Sequence, residues 1–275
     1  MRKLMTDIHT HSHYSHDGRN TLAEMLEEAQ KLGVAFYGVS DHFDYDYDFS
    51  KMSEEEILEV KNVDCEEYFH GARHLQEDYE GVMNVLVGAE FGYSDDPAVK
   101  AKYVETYQKY RPDFIVNSVH SVNGKDFAYT EIKGDKKEIY SFYLGLVRRS
   151  LDVPYPYDIV GHIGYIARYV PFKDVKFSFE EFGAEIDDIL LTIIQKGKIL
   201  EINTSSKQLK QKTIPEMHIV KRYYELGGRA VSIGSDAHFK ERIMDKREEV
   251  VKELKEIGFT YITVPDKKGY IKVEI

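Results

Sequence analysis

Residues 4–11 read LMTDIHTH, an apolar strand-like run, Leu4–Ile8, that passes without a break into His9-Thr10-His11. In an extended chain residues i and i+2 face the same side, so His9 and His11 point together. The pattern recurs. Strand-like runs at Ala35–Val39, Met83–Val87, Phe114–Val119, Tyr157–Val160 and Ala230–Ile233 lead into Ser40-Asp41-His42, Gly88-Ala89-Glu90, Ser118-Val119-His120, Gly161-His162 and Ser235-Asp236-Ala237-His238. Ile199–Ile202 is a further run, and Tyr261–Val264 a possible eighth. Six of the first seven runs thus deliver His, Glu or Asp at their C-terminal ends. A lone buried histidine is ordinarily a hydrogen-bonded core residue. Six strand ends at once call for convergence on one mouth, where imidazoles and carboxylates make metal sites.

Between the runs lie helical patterns with readable starts. Thr21 with Glu24 is a capping box, followed by Leu22, Met25, Leu26, Ala29 and Leu32 at helical spacing, and Gly33 stops the helix. Ser53 with Glu56 opens another helix, and Ser178 with Glu181 a third that runs to Gly197. Pro215 suits the first turn of a helix ending at Gly227–Gly228. Alternating strand and helix predicts β-α units around a parallel sheet. Seven or eight units point to an α/β barrel, closed rather than open, forming one domain over residues 1–275 with its functional groups at the strand C-termini. Two long polar connections, Phe43–Met52 (FDYDYDFSKM) and Ser121–Glu138, fall at that end.

Composition narrows the function. The net charge is −11, with no Lys/Arg run of the kind that neutralises a nucleic-acid backbone. Hydrophobic residues make up 42%, enough for a sizeable core, but no apolar run is long enough to span a membrane. The single cysteine, Cys65, permits no intrachain disulfide, and with no signal-peptide pattern at the start it predicts a cytoplasmic protein. The set His9, His11, His42, Glu90, His120, His162, Asp236 and His238 is too long for a single four-coordinate ion. Two or three divalent ions are implied, with Glu90 as the natural bridge and Zn, Mn or Fe(II) suiting the histidine-rich donors. Paired ions share a hydroxide and clamp an oxyanion. The mouth would be locally positive in an acidic protein, and would attract a small anionic substrate such as a phosphate monoester.

The ordered motifs DIHTH, SDH, GAE, SVH, GH and SDAH, spanning Thr6 to about His238, resemble the PHP (polymerase and histidinol phosphatase) family. Within it, the size and the SVH and EINT segments look most like the histidinol-phosphate phosphatases of histidine biosynthesis. The resemblance implies a distorted (β/α)7 TIM-like barrel and a trinuclear site. By motif position, one metal would take His9, His11, Glu90 and Asp236, a second Glu90, His120 and His162, and a third Asp17, His42 and His238. Where the family often has a histidine six residues after the first motif, this chain has Asp17, with His16 beside it as the alternative ligand. The implied reaction is hydrolysis of L-histidinol phosphate to L-histidinol and phosphate by a metal-bridging hydroxide, with Glu90, Asp236 and His238 as catalytic residues.

Substrate contacts are expected from Arg168, which can fork two bonds to a phosphate, from Lys207 past the sixth strand, and from Asn203 at its end. The Tyr45-Asp46-Tyr47 segment reads as a lid whose acids meet a cationic amine and imidazole. His70 and His74, four apart on a helix, lack the glutamate of a zinc-protease motif and read as a solvated face. The competing classes are a phosphatase of the same family acting on phosphotyrosine or nucleotides, an amidohydrolase-like deaminase, and a non-catalytic metal-binding module. The complete ligand series argues against the last.

Overall fold

Short apolar runs rich in Val and Ile, separated by capped helices, fold here as parallel strands with helical crossovers. The structure is a computed structural model describing residues 4–53, 60, 63–205, 212–266 and 269–275. Its parallel strands are β1 (Met5–Thr10), β2 (Val34–Val39), β3 (His42–Phe43), β4 (Asn84–Val87), β5 (Ala89–Gly92), β6 (Ile115–Ser118), β9 (Ile159–Val160), β10 (Ile199–Asn203) and β11 (Val231–Gly234). A two-residue-per-strand hairpin, β7 (Ser121–Val122) with β8 (Lys125–Asp126), follows β6.

These strands do not form one continuous ladder. They make a three-stranded sheet, β1-β2-β4, and a six-stranded sheet, β11-β10-β9-β6-β5-β3. The division has a local cause. The second run breaks at Ser40-Asp41 and resumes as β3, and the third breaks at Gly88 and resumes as β5. Each begins in one sheet and ends in the other. On the opposite side, β1 meets the segment after β11 through a single parallel bridge, Thr10 to Ala237. Two backbone hydrogen bonds flank it, Asp236 N–H to the His9 carbonyl (2.8 Å) and His11 N–H to the Ala237 carbonyl (2.9 Å). The expected eighth strand is not part of this system: β12 (Tyr261–Asp266) pairs antiparallel with β13 (Gly269–Glu274), a strand that the sequence reading left unassigned.

The described helices are α1 (Leu22–Leu32), α2 (Cys65–Asp78), α3 (Pro97–Tyr110), α4 (Lys136–Ser150), α5 (Phe179–Gln195), α6 (Met217–Glu225) and α7 (Arg247–Ile257). Both halves of the capping box form at Thr21 and Glu24, and Gly33 closes α1 in the left-handed conformation at φ 74°. Ser178 caps α5. Pro215 precedes the α6 N-cap, Glu216, instead of lying in the first turn. The helix expected from Ser53 with Glu56 lies mostly outside the described residues. Leu22, Met25, Leu26 and Ala29 of α1 and Phe182, Ile186, Ile189 and Ile193 of α5 bury one face each in the core that also holds Val39, Val87, Val116 and Leu200. Each of these side chains larger than Ala29 stabilises the fold by about 1.5–3 kcal/mol through burial.

Gly88 marks where the third strand changes sheets, and its lack of a side chain is a packing requirement. A Cβ there would sit 2.4 Å from a ring carbon of Phe114, itself buried. Gly88→Ala is therefore expected to destabilise the protein by about 1–3 kcal/mol, read as a lowered urea midpoint; an unchanged midpoint would mean that the Phe114 ring yields.

Candidate metal centre

The strand ends bring His9 and His11 from β1, His42 from β3, Glu90 from β5, His120 just after β6 and His162 just after β9 to one point. Glu90 stands at its middle, fully buried. His9 Nε2 lies 3.4 Å and His162 Nε2 2.9 Å from Glu90 Oε1, with His120 Nε2 at 3.2 Å. The other carboxylate oxygen, Oε2, has His11 Nε2 at 3.6 Å and His42 Nδ1 at 2.9 Å. Asp236 closes the first group, its Oδ1 3.2 Å from His11 Nε2 and 4.0 Å from His9 Nε2.

Asp236 and His238 do not sit on a strand, as the i, i+2 spacing suggested. Strand β11 ends at Gly234, and Asp236 takes a left-handed conformation at φ 52°. That conformation is uncommon for a non-glycine residue and is found at functional turns. It still turns both side chains to the centre: His238 stacks on His11 with ring centroids 4.2 Å apart. At the rim, Asp17 Oδ2 approaches His238 Nε2 to 2.9 Å and Oδ1 lies 3.8 Å from His42 Nε2. His16 lies beside this pair, its ring stacked on His42 at 5.5 Å.

Three donor groups have ligand atoms within 4.8 Å of one another: His9, His11 and Glu90; His42, Glu90 and His120; and His11, His42 and His238. The alignment of the donors also fits a cation. His42 Nδ1 and Glu90 Oε2 are 2.9 Å apart, as are His238 Nε2 and Asp17 Oδ2, yet all but the exposed Asp17 oxygen are buried atoms without an aligned hydrogen bond. Such pairs suit two donors aimed at a common ion.

Electrostatics shows the demand for positive charge. Burial would push Glu90 up, but His120, His9 and His42 hold its carboxyl well below the usual range. Burial likewise disfavours a charged His42, yet Glu90 and Asp44 outweigh it and raise the imidazole to about 10. Burial, reinforced by His238 and His42, drives His11 well below its ordinary value.

Several buried acids that the sequence reading did not single out hold this centre in place. Glu201, on β10, meets His9 Nδ1 at 2.5 Å through Oε1 and accepts from His162 N–H at 2.7 Å through Oε2. The fit is close: a Cβ on Gly234 would fall 2.4 Å from Glu201 Oε1. Asp44 Oδ1 lies 3.1 Å from His120 Nδ1. Asp41 accepts from the N–H and hydroxyl of Ser12 (both 2.7 Å) and from those of Ser15 (3.0 and 2.5 Å), pinning the loop that carries Asp17. Asp7 accepts from Ser235 N–H (2.9 Å) and Met244 N–H (2.8 Å), pinning the turn that carries Asp236. A charged residue inside an apolar strand, as in Ile199-Leu200-Glu201-Ile202, was the available signal.

The centre opens on a cavity of about 390 Å³ lined by His42, His120, His162, Asp236 and His238, with Arg168 and a wall of tyrosines. Arg168 is part-buried, donates to the Ser205 carbonyl and lies 3.5 Å from Asp236 Oδ2. Asn203 is not among the residues that line this cavity. Its side chain lies 3.4 Å from Glu201 Oε2 and accepts from Ser205 N–H at 2.9 Å. Lys207 lies outside the described residues. The Tyr45–Tyr47 segment is no lid. Asp46 is buried with the Ser121 hydroxyl on its carboxylate, and Tyr45 bonds Cys65 Sγ and Thr106 Oγ1, both at 3.0 Å. Tyr47 alone of the three reaches the cavity. His70 and His74 are exposed on α2.

Parallel strands ending in this histidine-carboxylate centre define a PHP-domain protein: the PHP domain family model matches residues 7–205, and the chain belongs to that family. It is 31% identical over 264 residues to a probable histidinol-phosphatase of Thermotoga maritima, covering 96% of this chain and 97% of that protein. It is 29% identical over 244 residues to a probable histidinol-phosphatase of Clostridium acetobutylicum, covering 87% and 89% respectively. A crystal structure of histidinol phosphate phosphatase from Lactococcus lactis, complexed with Zn, L-histidinol and phosphate, shares the fold. Its TM-score is 0.83 at 24% identity, over 98% of this chain and 99% of that one.

Glu201→Gln removes the negative charge that orients His9, and it is expected to weaken divalent-metal affinity by about 10- to 100-fold in a competition titration with a chelator. Unchanged affinity would leave Glu201 a packing residue. Carboxylates hold the imidazole of His42 protonated at neutral pH, so an ion binding there must displace that proton. Metal binding is expected to release protons and to weaken as the pH falls, which calorimetry in buffers of different ionisation enthalpy would detect.

Proposed function

We propose that this protein is a metal-dependent phosphomonoesterase that hydrolyses L-histidinol phosphate to L-histidinol and phosphate. The observation that carries the reading is the position of Glu90, a buried carboxylate with five imidazole nitrogens within 3.6 Å, behind His42, His120 and His162, which line a cavity that also holds Arg168. The similarity to probable histidinol-phosphatases of two bacteria, over 87% and 96% of the chain, supports the choice of substrate.

In this reading His9, His11, Glu90 and Asp236 hold one ion, Glu90, His120 and His162 a second, and Asp17, His42 and His238 a third, drawn from Zn, Mn or Fe(II). Bound divalent ions supply Lewis acidity toward phosphoryl oxygens and lower the pKa of water. The chain's own groups do the rest. Arg168 turns its guanidinium to the phosphate, adding charge-assisted hydrogen bonds as negative charge develops. Asp236, between His11 and Arg168, accepts the proton of the attacking water and returns it to the leaving alkoxide, while His238 at the rim helps to hold the third ion. Expulsion of that alkoxide leaves inorganic phosphate and the free alcohol, with no phosphoenzyme.

We also read the two parallel sheets as one distorted (β/α)7 ring in a single domain. The continuation of β2 into β3 and of β4 into β5, with the bridge between Thr10 and Ala237, supports this. No helix among the described residues is long and apolar enough to cross a membrane. The lone free thiol, Cys65, supports a cytoplasmic location.

Phosphate release by the metal-loaded protein tests the function. L-Histidinol phosphate should be turned over with a higher kcat/KM than phosphotyrosine, nucleotide monophosphates or p-nitrophenyl phosphate. A preference for any of these would replace the substrate and keep the chemistry. Asp236→Asn and His120→Ala are each expected to lower kcat by at least about 100-fold while the far-ultraviolet circular dichroism stays unchanged; a fully active variant would remove that residue from the centre.

A further inference from the structure

The hairpin of β12 and β13 is anchored at the end of the strands remote from the metal centre. Tyr270 on β13 donates to Asp158 Oδ1 at 3.2 Å, and Asp158 stands just before β9, at the opposite end of that strand from His162. Val273 fixes the strand from its other face, 2% exposed in the core. The hairpin is thus a firm part of the molecule, yet β13 pairs with β12 alone among the described residues.

The register shows which backbone groups are left over. Ile275 N–H bonds the Thr260 carbonyl at 3.1 Å, and Ile271 and Val273 stand opposite Val264 and Ile262. Bonded and non-bonded pairs alternate along an antiparallel ladder. Ile271, Val273 and Ile275 therefore bond to β12, while the N–H and carbonyl groups of Tyr270, Lys272 and Glu274 point away from it. Pro265 fits this phase, since it faces Tyr270 at a non-bonded position where its missing N–H costs nothing. An open row of this kind is a template for another strand.

The side chains on that row say which strand fits. Ile271-Lys272-Val273-Glu274-Ile275 is a palindrome about Val273, apolar residues matched and charges inverted. Turned about a two-fold axis through Val273, a second copy sets Ile271 opposite Ile275, Val273 opposite Val273 and Lys272 opposite Glu274. Within one chain Ile271 and Ile275 are only partly buried. Lys272 and Glu274 are exposed, and neither is ion-paired among the described residues; Lys272 Nζ rests over the Tyr261 ring, 4.4 Å from its centroid. Lys272 and Glu274 also carry the outward backbone groups, so the opposed residues exchange hydrogen bonds as well as charge. Moving the axis to Lys272 would instead set two lysines face to face, which is unfavourable.

We propose that β13 docks antiparallel on β13 of a second copy of this chain, centred on Val273, and joins the two hairpins into one sheet of a two-fold dimer. Both copies use the same edge, so the assembly closes and leaves no template for a third chain. The metal centres lie away from the join, and each works independently.

Sedimentation velocity of the metal-loaded protein over about 1–100 μM should show a reversible monomer–dimer equilibrium. Lys272→Glu or Glu274→Lys alone sets like charges opposite each other on both sides of the axis and should weaken the dimer by about 10- to 100-fold. Both exchanges together restore every opposed pair and should restore the dimer, with kcat/KM the same throughout. In the wild type, hydrogen exchange at the Lys272 and Glu274 amides should slow as the concentration rises, while that at Tyr270 does not. A protein that stays monomeric overturns the proposal and leaves Lys272 as a guard against edge pairing. A dimer that neither single exchange weakens, or that the double exchange fails to restore, overturns it as well and places the contact elsewhere. If a variant does not fold, the wild-type amide exchange decides: no slowing at Lys272 and Glu274 as the dimer forms excludes this edge.

Discussion

Glu90 is a carboxylate wholly enclosed by protein, 0% exposed. An ion so placed costs several kcal/mol unless its charge is met and its lone pairs are filled. Five imidazoles and the Ser118 hydroxyl, 2.6 Å from Oε1, meet that need, and they come from β1, β3, the end of β6 and the turn after β9. The break at Gly88 follows from the same demand, since it lets the third strand leave the small sheet and carry Glu90 into the large one. Ala89 N–H then bonds the Phe114 carbonyl at 3.2 Å, and Glu90 N–H the Asp41 carbonyl at 3.1 Å.

Around this point the structure repeats one device. A buried acid grips the backbone or the far nitrogen of a residue that faces the centre: Asp41 for the loop of Asp17, Asp7 for the turn of Asp236, Glu201 for His9 and Asp44 for His120. Metal-facing histidines are normally steered in this way, and the steering fixes both tautomer and ring orientation. The polar interior is stable because these acids are paired, and the pairing leaves little room for the ligand set to drift.

Much of this is written in the sequence. The strand ends announced themselves because His9, His42, Glu90, His120 and His162 each follow a short apolar run, and α1 because its caps are local. Other features depend on partners distant in sequence. The division into two sheets hinges on how a Gly88 strand meets Phe114. The hairpin of β12 with β13 looks locally like one more parallel strand. Asp46 and Tyr47, in a strongly polar stretch, read as part of a lid, yet their partners are Ser121 and Asp126, more than seventy residues away. Helices α3 and α4 carry local signals of the same kind, Asp96 before Pro97 and Asp135 before Glu138.

The junction between β1 and the segment after β11 has its own significance. Among the described residues, one bridge and a few backbone hydrogen bonds join the first strand to the segment after β11. His9 and His11 stand on one side of that join, Asp236 and His238 on the other. A cation gripped by both sides would act as a rivet where the backbone ladder is thinnest. Loss of the cofactor would then silence the active site and also open the molecule along a defined line.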